Sequence, residues 1–332
     1  MRAECPSERV RNKDMRVVFM GTPDFAVGAL QAIIEAGHQV AAVVTQPDKP
    51  KGRGKEMQMT PVKSCALGHN IPVFQPVKIK EQEAVEVLRG YQADVFVVAA
   101  FGQILSEEIL TMPKYGCVNI HASLLPKYRG AGPIQWAIID GEQKTGITIM
   151  QMDKGVDTGD ILLQKEVQID ARETGDSLHD KLAAMGAELI VEALSKIEAG
   201  QVVPRRQKDE ESCYAKMLQK SMGKIDWNMS AGKLDCLIRG LISWPGASTT
   251  FRGKNLKIWA EEPVTEEGGS AQIFEAVPGT VLGVEKDAFY VQTGEGILRI
   301  LSVQMEGKKR MAVKDFLLGY PVRAGECLGD GK

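Results

Sequence analysis

A chain of 332 residues is long enough for two domains, each able to bury a core without disulfide or metal staples. Hydrophobic residues at 44% and charged residues at 25% argue against a disordered, collagen-like or membrane-embedded chain. A formal net charge of -2 removes any whole-chain attraction for phosphate, so a nucleic-acid partner requires a local basic surface. The cysteines at 5, 65, 117, 213, 236 and 327 stand singly, without a Cys-x-x-Cys pair or a His-x-x-x-His to complete a metal site. Each therefore reads as a small buried hydrophobe, no metal is expected, and a cytoplasmic setting fits. No run reaches the roughly 18 apolar residues of a membrane span. Residues 1–14 lack the apolar core of a secretion signal and read as a flexible extension, with Met15 a candidate start.

From Arg16 the chain reads Val-Val-Phe-Met up to Gly21, a buried strand, and then places Val27, Leu30, Ile33 and Ile34 on one helical face. Alternation continues with a strand at Val40 to Thr45, a helix entered through Thr60 and Pro61, a helix near Glu81 to Leu88, and a strand at Val95 to Ala100. Next come a strand at Cys117 to His121, a helix from Pro133, and strands at Ile147 to Met152 and Ile161 to Val167. A long helix capped by Thr174 carries Leu178, Leu182, Met185, Leu189 and Leu194 and stops at Gly200. The order is that of an α/β fold, a Rossmann-like open sheet dominated by parallel pairing, over residues 15–200. Residues 201–213 carry no hydrophobic period and read as a linker. Beyond it, a helix near Ser230 precedes short strands at Ala247 to Phe251, Leu256 to Ala260, Thr280 to Val284, Phe289 to Gln292 and Ile297 to Val303, which predict a small OB-like barrel over 214–332.

The first strand-to-helix turn, Gly21-Thr22-Pro23-Asp24-Phe25-Ala26, stands where a dinucleotide fold carries Gly-x-Gly-x-x-Gly. Pro23 puts a ring where the backbone approaches a pyrophosphate and has no N–H to offer, so a nicotinamide or flavin enzyme is disfavoured. The turn otherwise reads as a helix start with Thr22 as cap and Pro23 in the first position. The stretch VNIHASLLPKYRGAGPIQ, 118–135, carries more. Asn119 and His121 are two apart on a strand, so their side chains leave one face. An amide N–H and a charged imidazole N–H together suit the oxygen of a carbonyl becoming tetrahedral. Either residue alone has an ordinary structural explanation, and Asp153, Asp157 and Asp160 each have the alternative role of turn former.

With MQMDKGVDTGDILL at 150–163, the segment HASLLPKYRGAGPIQ is similar to the folate-dependent formyltransferases. The resemblance implies a catalytic trio of Asn119, His121 and Asp157, and a folate contact at Ser123, Leu124, Leu125 and Pro126. A carboxylate beside an imidazole favours the charged, donating ring and can also take the proton shed by an attacking amine. FMGTPDFA (19–26), TQPDKPKGRGK (45–55), TPVK (60–63) and IDW (225–227) resemble the branch of that family that formylates methionyl-initiator tRNA, and they span much of the chain from Met15. The implied formyl donor is 10-formyltetrahydrofolate, with no metal and no membrane involved, and a monomer is expected. Another formyltransferase or a formyl hydrolase of the same fold remains the neighbouring alternative, and a non-catalytic tRNA-binding protein the distant one.

Lys49, Lys51, Arg53 and Lys55 crowd a loop whose nearby acids are Asp48 and Glu56. From charge alone this is a solvated loop or a phosphate contact. The family resemblance implies an inserted loop that approaches the acceptor stem, with Arg53 as the position carried over. Lys308, Lys309 and Arg310, or Lys216, Lys220 and Lys224, are candidate basic clusters of the C-terminal domain.

Overall fold

The computed structural model describes residues 14–51, 56–264 and 276–329. In chain order the first elements are β1 (Arg16–Gly21), α1 (Val27–Glu35), β2 (Gln39–Val44), β3 (Lys49–Lys51), β4 (Glu56–Gln58), α2 (Pro61–Gly68), β5 (Val73–Phe74) and α3 (Gln82–Gly90). They continue as β6 (Val95–Ala99), α4 (Glu107–Leu110), β7 (Cys117–His121), β8 (Arg129–Gly130), α5 (Pro133–Ile139), β9 (Lys144–Gln151), β10 (Ile161–Gln168) and α6 (Gly175–Glu198). The last are β11 (Tyr214–Ala215), α7 (Ala231–Gly240), β12 (Ala247–Phe251), β13 (Lys254–Pro263), β14 (Val281–Val284), β15 (Phe289–Gln292), β16 (Ile297–Met305), β17 (Met311–Ala312) and α8 (Val313–Gly319).

The chain forms two compact units. The first takes Met1–Arg129, Gly146–Glu166 and Asp180–Cys213; the second takes Gly130–Thr145, Val167–His179 and Tyr214–Lys332. Its sheet in the first unit has the order β10-β9-β7-β6-β1-β2-β5. Pairings β5–β2, β2–β1, β1–β6 and β6–β7 are parallel, and β7–β9 is antiparallel. Strands covered on both faces must be apolar throughout, which is why Val17–Met20 and Val95–Ala99 read as unbroken runs and are buried. The chain leaves β1 toward β2 and β5 and returns on its other side as β6, a topological switch of the kind that opens a crevice at the carboxyl ends of strands.

One expected cap is different. Residues Asp24–Ala26 form a 3-10 turn entered from Pro23 without a side-chain cap. Thr22 instead donates its hydroxyl to the Phe101 carbonyl at 3.0 Å, tying the β1 turn to the one after β6. A neighbouring carbonyl captured the hydroxyl, and no periodicity reports such a tertiary partner.

In the second unit the described strands form an antiparallel path, β12-β13-β16-β15-β14, with β17 beside β16. Alternating inward residues Leu256 and Ile258, Leu298, Ile300 and Val303 pack against Leu234, Ile238, Leu241 and Phe316. The C-terminal domain is thus an antiparallel β domain, in keeping with the run of short strands read from the sequence.

Candidate active site

Asn119 and His121 occupy β7, and Asp157 arrives from the connection between β9 and β10. The three meet. Asn119 Nδ2 lies 3.5 Å from Asp157 Oδ1, and His121 Nδ1 lies 3.6 Å from Asp157 Oδ2. The imidazole is 6% exposed and the carboxylate 16%, so their attraction acts with little water between them. His121 Nε2 stands 2.9 Å from the Tyr128 carbonyl oxygen, which can only accept, so Nε2 carries a proton there. Nδ1 is then the ring atom left to face a reacting group. Tyr128 reaches back in this way through a left-handed backbone, φ +60°.

Local chemistry decides among the three aspartates of the loop. Asp153 Oδ1 accepts from Gly155 N at 3.0 Å and Thr158 Oγ1 at 2.7 Å and is a turn former. The Asp160 carbonyl accepts from Gln151 N at 2.8 Å, continuing the strand pairing. Asp157 is the one that reaches Asn119 and His121, and it adopts φ +54°, a conformation costly for a residue with a Cβ. Two residues on, the backbone passes so close to the Gln151 carbonyl oxygen that a methyl group on Gly159 would overlap it.

The Ser123–Pro126 turn is fixed by one hydroxyl. Thr148, fully buried on β9, donates Oγ1 to Ser123 O at 2.6 Å and accepts from Leu125 N at 3.1 Å and Gln164 Nε2 at 2.9 Å. Gln164 Nε2 also donates to Leu125 O at 2.8 Å. Leu125 packs on Met150 and Ile161, Ser123 is buried, and Leu124 and Pro126 are half-buried; the Leu125–Pro126 peptide is cis.

Of the basic loop, Lys49 is exposed on β3, Lys51 ends that strand, and Arg53 and Lys55 lie outside the described residues. β3 and β4 pair as a hairpin stem. At its base Lys63 Nζ contacts Asp48 Oδ2 at 2.5 Å, and Gln75 Nε2 donates to Asp48 Oδ1 at 2.8 Å. These bonds hold the Asp48 carboxyl below the usual range. The motif residues Asp48 and Lys63 thus join the 45–55 and 60–63 segments, and Gln75 after β5 joins them.

Burial pushes the Cys117 thiol up to about 12, as suits a packed side chain rather than a nucleophile. Cys65 and Cys236 are half-buried; Cys213 and Cys327 are exposed, against expectation, and Cys5 lies outside the described residues. No group of three or more His, Cys, Asp or Glu set to hold a metal occurs among the described residues, and no described helix is long and apolar enough to cross a membrane. A groove of about 560 Å³ beside Glu107, Gly116 and Lys154 is lined by none of the trio.

The stretch 201–213, read as a linker, supplies partners that sequence reasoning missed. Gln207 donates Nε2 to Asp157 O at 2.9 Å and to Gly159 O at 2.7 Å. The Arg129 Nε donates to Gln207 Oε1 at 3.1 Å, and its NH2 to Asp209 Oδ1 at 2.9 Å. Arg129 stood within the recognised motif; nothing in a run of polar residues indicates that Gln207 turns inward.

An amide, an imidazole and a carboxylate thus converge beside an open α/β sheet. The formyl transferase family model matches residues 15–194, and that of the formyl transferase C-terminal domain matches 217–321. Methionyl-tRNA formyltransferase of Lachnospira eligens is 56% identical over 95% of this chain and 100% of its own length, and that of Clostridioides difficile 47% identical over 95% and 100%. The chain belongs to the formyl transferase family, in its methionyl-tRNA formyltransferase branch. The fold is shared with an N-formyltransferase from Helicobacter canadensis, solved in complex with folinic acid and dTDP-3-aminofucose (TM-score 0.65, 20% identity, 88% of this chain and 99% of that one). It is shared too with HypX from Aquifex aeolicus in complex with tetrahydrofolic acid (TM-score 0.61, 18% identity, 92% and 47%).

Proposed function

We propose that this protein transfers the formyl group of 10-formyltetrahydrofolate to the free amino group of methionyl-initiator tRNA, acting as a cytoplasmic monomer. The observation that carries the reading is the convergence of Asn119, His121 and Asp157, three residues from two separate segments, within 3.6 Å contacts. The unprotonated amine attacks the formyl carbon and a C–N bond forms while the carbonyl electron pair moves onto oxygen. Asn119 Nδ2 and a protonated His121 Nδ1 stabilise that oxygen. Asp157 accepts the amine proton, directly or through water, and the bond from the formyl carbon to folate N10 then breaks, N10 leaving with a proton. Ser123–Pro126, rigidified by Thr148, contacts the folate. Lys49, Lys51, Arg53 and Lys55 neutralise acceptor-stem phosphates, and residues 214–332, joined through a linker at 201–213, form an OB-like tRNA-binding domain.

The direct test mixes the protein with 10-formyltetrahydrofolate and methionine-charged initiator or elongator tRNA and looks for formylmethionine. Product on the initiator species alone is expected; formate release without product, or product only on a sugar-nucleotide amine, overturns the substrate assignment. Asn119→Ala or His121→Ala is expected to slow the chemical step by about 100- to 1000-fold, the usual cost of one oxyanion donor. Near-normal single-turnover rates in either variant refute the roles given to these residues.

A further inference from the structure

We infer that Gln207, buried in the segment between the two family-matched regions, is a positioning residue that holds Asp157 against Asn119 and His121. The inference rests on the catalytic reading of Asp157. Gln207 is 8% exposed, and its side-chain amide has its orientation set from both ends. Oε1 accepts from the Arg129 guanidinium at 3.1 Å, and a guanidinium can only donate, so Nε2 must face the other way. There its two hydrogens meet two carbonyls of one loop, Asp157 O at 2.9 Å and Gly159 O at 2.7 Å. These carbonyls belong to Asp157 itself and to the residue two on, just after the chain turns left-handed at Asp157, a conformation that persists only where its surroundings over-determine it. Arg129 is itself 9% exposed and is anchored on Asp209, so both ends of the brace lie in one short stretch, 207–209, and the β8 arm.

The same stretch steadies the other partner of the pair. Cys213 Sγ accepts from Tyr128 N at 3.2 Å, and Cys213 O accepts from Arg129 N at 2.9 Å. The Tyr128 carbonyl between them receives His121 Nε2. Residues 207–213 therefore support the backbone that presents Asp157 and the backbone that orients His121, and the segment is part of the active-site framework.

Gln207→Glu is nearly isosteric and keeps an acceptor for Arg129, but sets a second acceptor against two carbonyl oxygens; Gln207→Met removes the amide without adding charge. Both are expected to lower the single-turnover formylation rate by about 10- to 100-fold, the loss that follows from a displacement near 1 Å, while KM for folate and for charged tRNA stays within about 3-fold. Combined with Asp157→Asn, either substitution is expected to add little further loss, because it acts through the group already removed. Multiplicative losses in the double variants, or a normal rate in Gln207→Met with an unchanged melting temperature, overturn the inference. A normal rate in Asp157→Asn alone instead overturns the catalytic reading beneath it. Should Gln207→Glu fail to fold, Gln207→Met and its double variant still decide the matter.

Discussion

Glu261 on β13 is 1% exposed, and its Oε1 has no hydrogen-bond partner in the described structure. Burial, and then the nearby Asp235 carboxylate, raise its carboxyl from the ordinary 4.5 to about 8, with Arg172, 3.8 Å away, and Arg239 opposing. Asp235 is better served, held by Arg172 NH1 at 2.6 Å and by Arg239 Nε and NH2 at 2.9 and 2.7 Å. The folded protein therefore keeps a proton that the unfolded chain releases. This contribution is full below pH 4.5 and is lost as pH rises through about 8. Glu261→Gln, which is always uncharged, is expected to flatten the fall in melting temperature across that window. At pH 8 it should be the more stable protein, because it has no carboxylate charge to bury. Equal pH slopes for the two proteins in calorimetry contradict this account. Residue identity alone also left Asp153, Asp157 and Asp160 equivalent, since all three are short acids in a glycine-containing turn; the family motif singles out Asp157, and the path of the loop brings that residue to Asn119 and His121.

The longer helices and the central strands lie where the periodicity of the sequence predicts them, because a sheet covered on both faces demands continuous apolar runs and an amphipathic helix demands a stripe; α4 and α8, of four and seven residues, are too short to show one. α2 is a case in which local and tertiary signals coincide. Thr60 Oγ1 accepts from Lys63 N at 3.1 Å as an N-cap and lies 2.8 Å from Thr45 Oγ1 at the end of β2, with Pro61 in the first turn. Thr60→Ala removes a cap and leaves the fully buried Thr45 hydroxyl without that partner, so a loss of about 1–2 kcal/mol is expected in urea unfolding. Thr60→Ser, which preserves both bonds, is expected to recover most of it; an alanine variant as stable as the parent removes the cap from consideration. Thr22, in an equally good capping context by sequence, is spent on the Phe101 carbonyl. Capping preference is a local quantity and competes with whatever acceptor the fold brings near.

At the scale of the molecule, a net charge of -2 offers tRNA no whole-chain attraction, and the proposed reading assigns that attraction to local basic surfaces such as residues 49–55, beside the contacts of Asp48 with Lys63 and Gln75. The efficiency with charged tRNA is expected to fall steeply with salt, while KM for folate changes little. Arg53→Ala is expected to weaken use of charged tRNA and to reduce the salt slope by about one unit, leaving folate binding alone. Equal losses toward both substrates point to misfolding, and an unaltered slope removes Arg53 from the phosphate contact. By itself the sequence determined the α/β order, the antiparallel C-terminal strands, the family and the Asn119–His121 pair, because each is written in spacing along one element or in a contiguous motif. Only the tertiary structure decided that His121 presents Nδ1, how the loop carries Asp157 to it, and that Gln207 and Arg129 brace that loop. Those are hydrogen bonds between segments as many as 80 residues apart, and a polar side chain carries no local mark of whether it points to water or to a distant carbonyl.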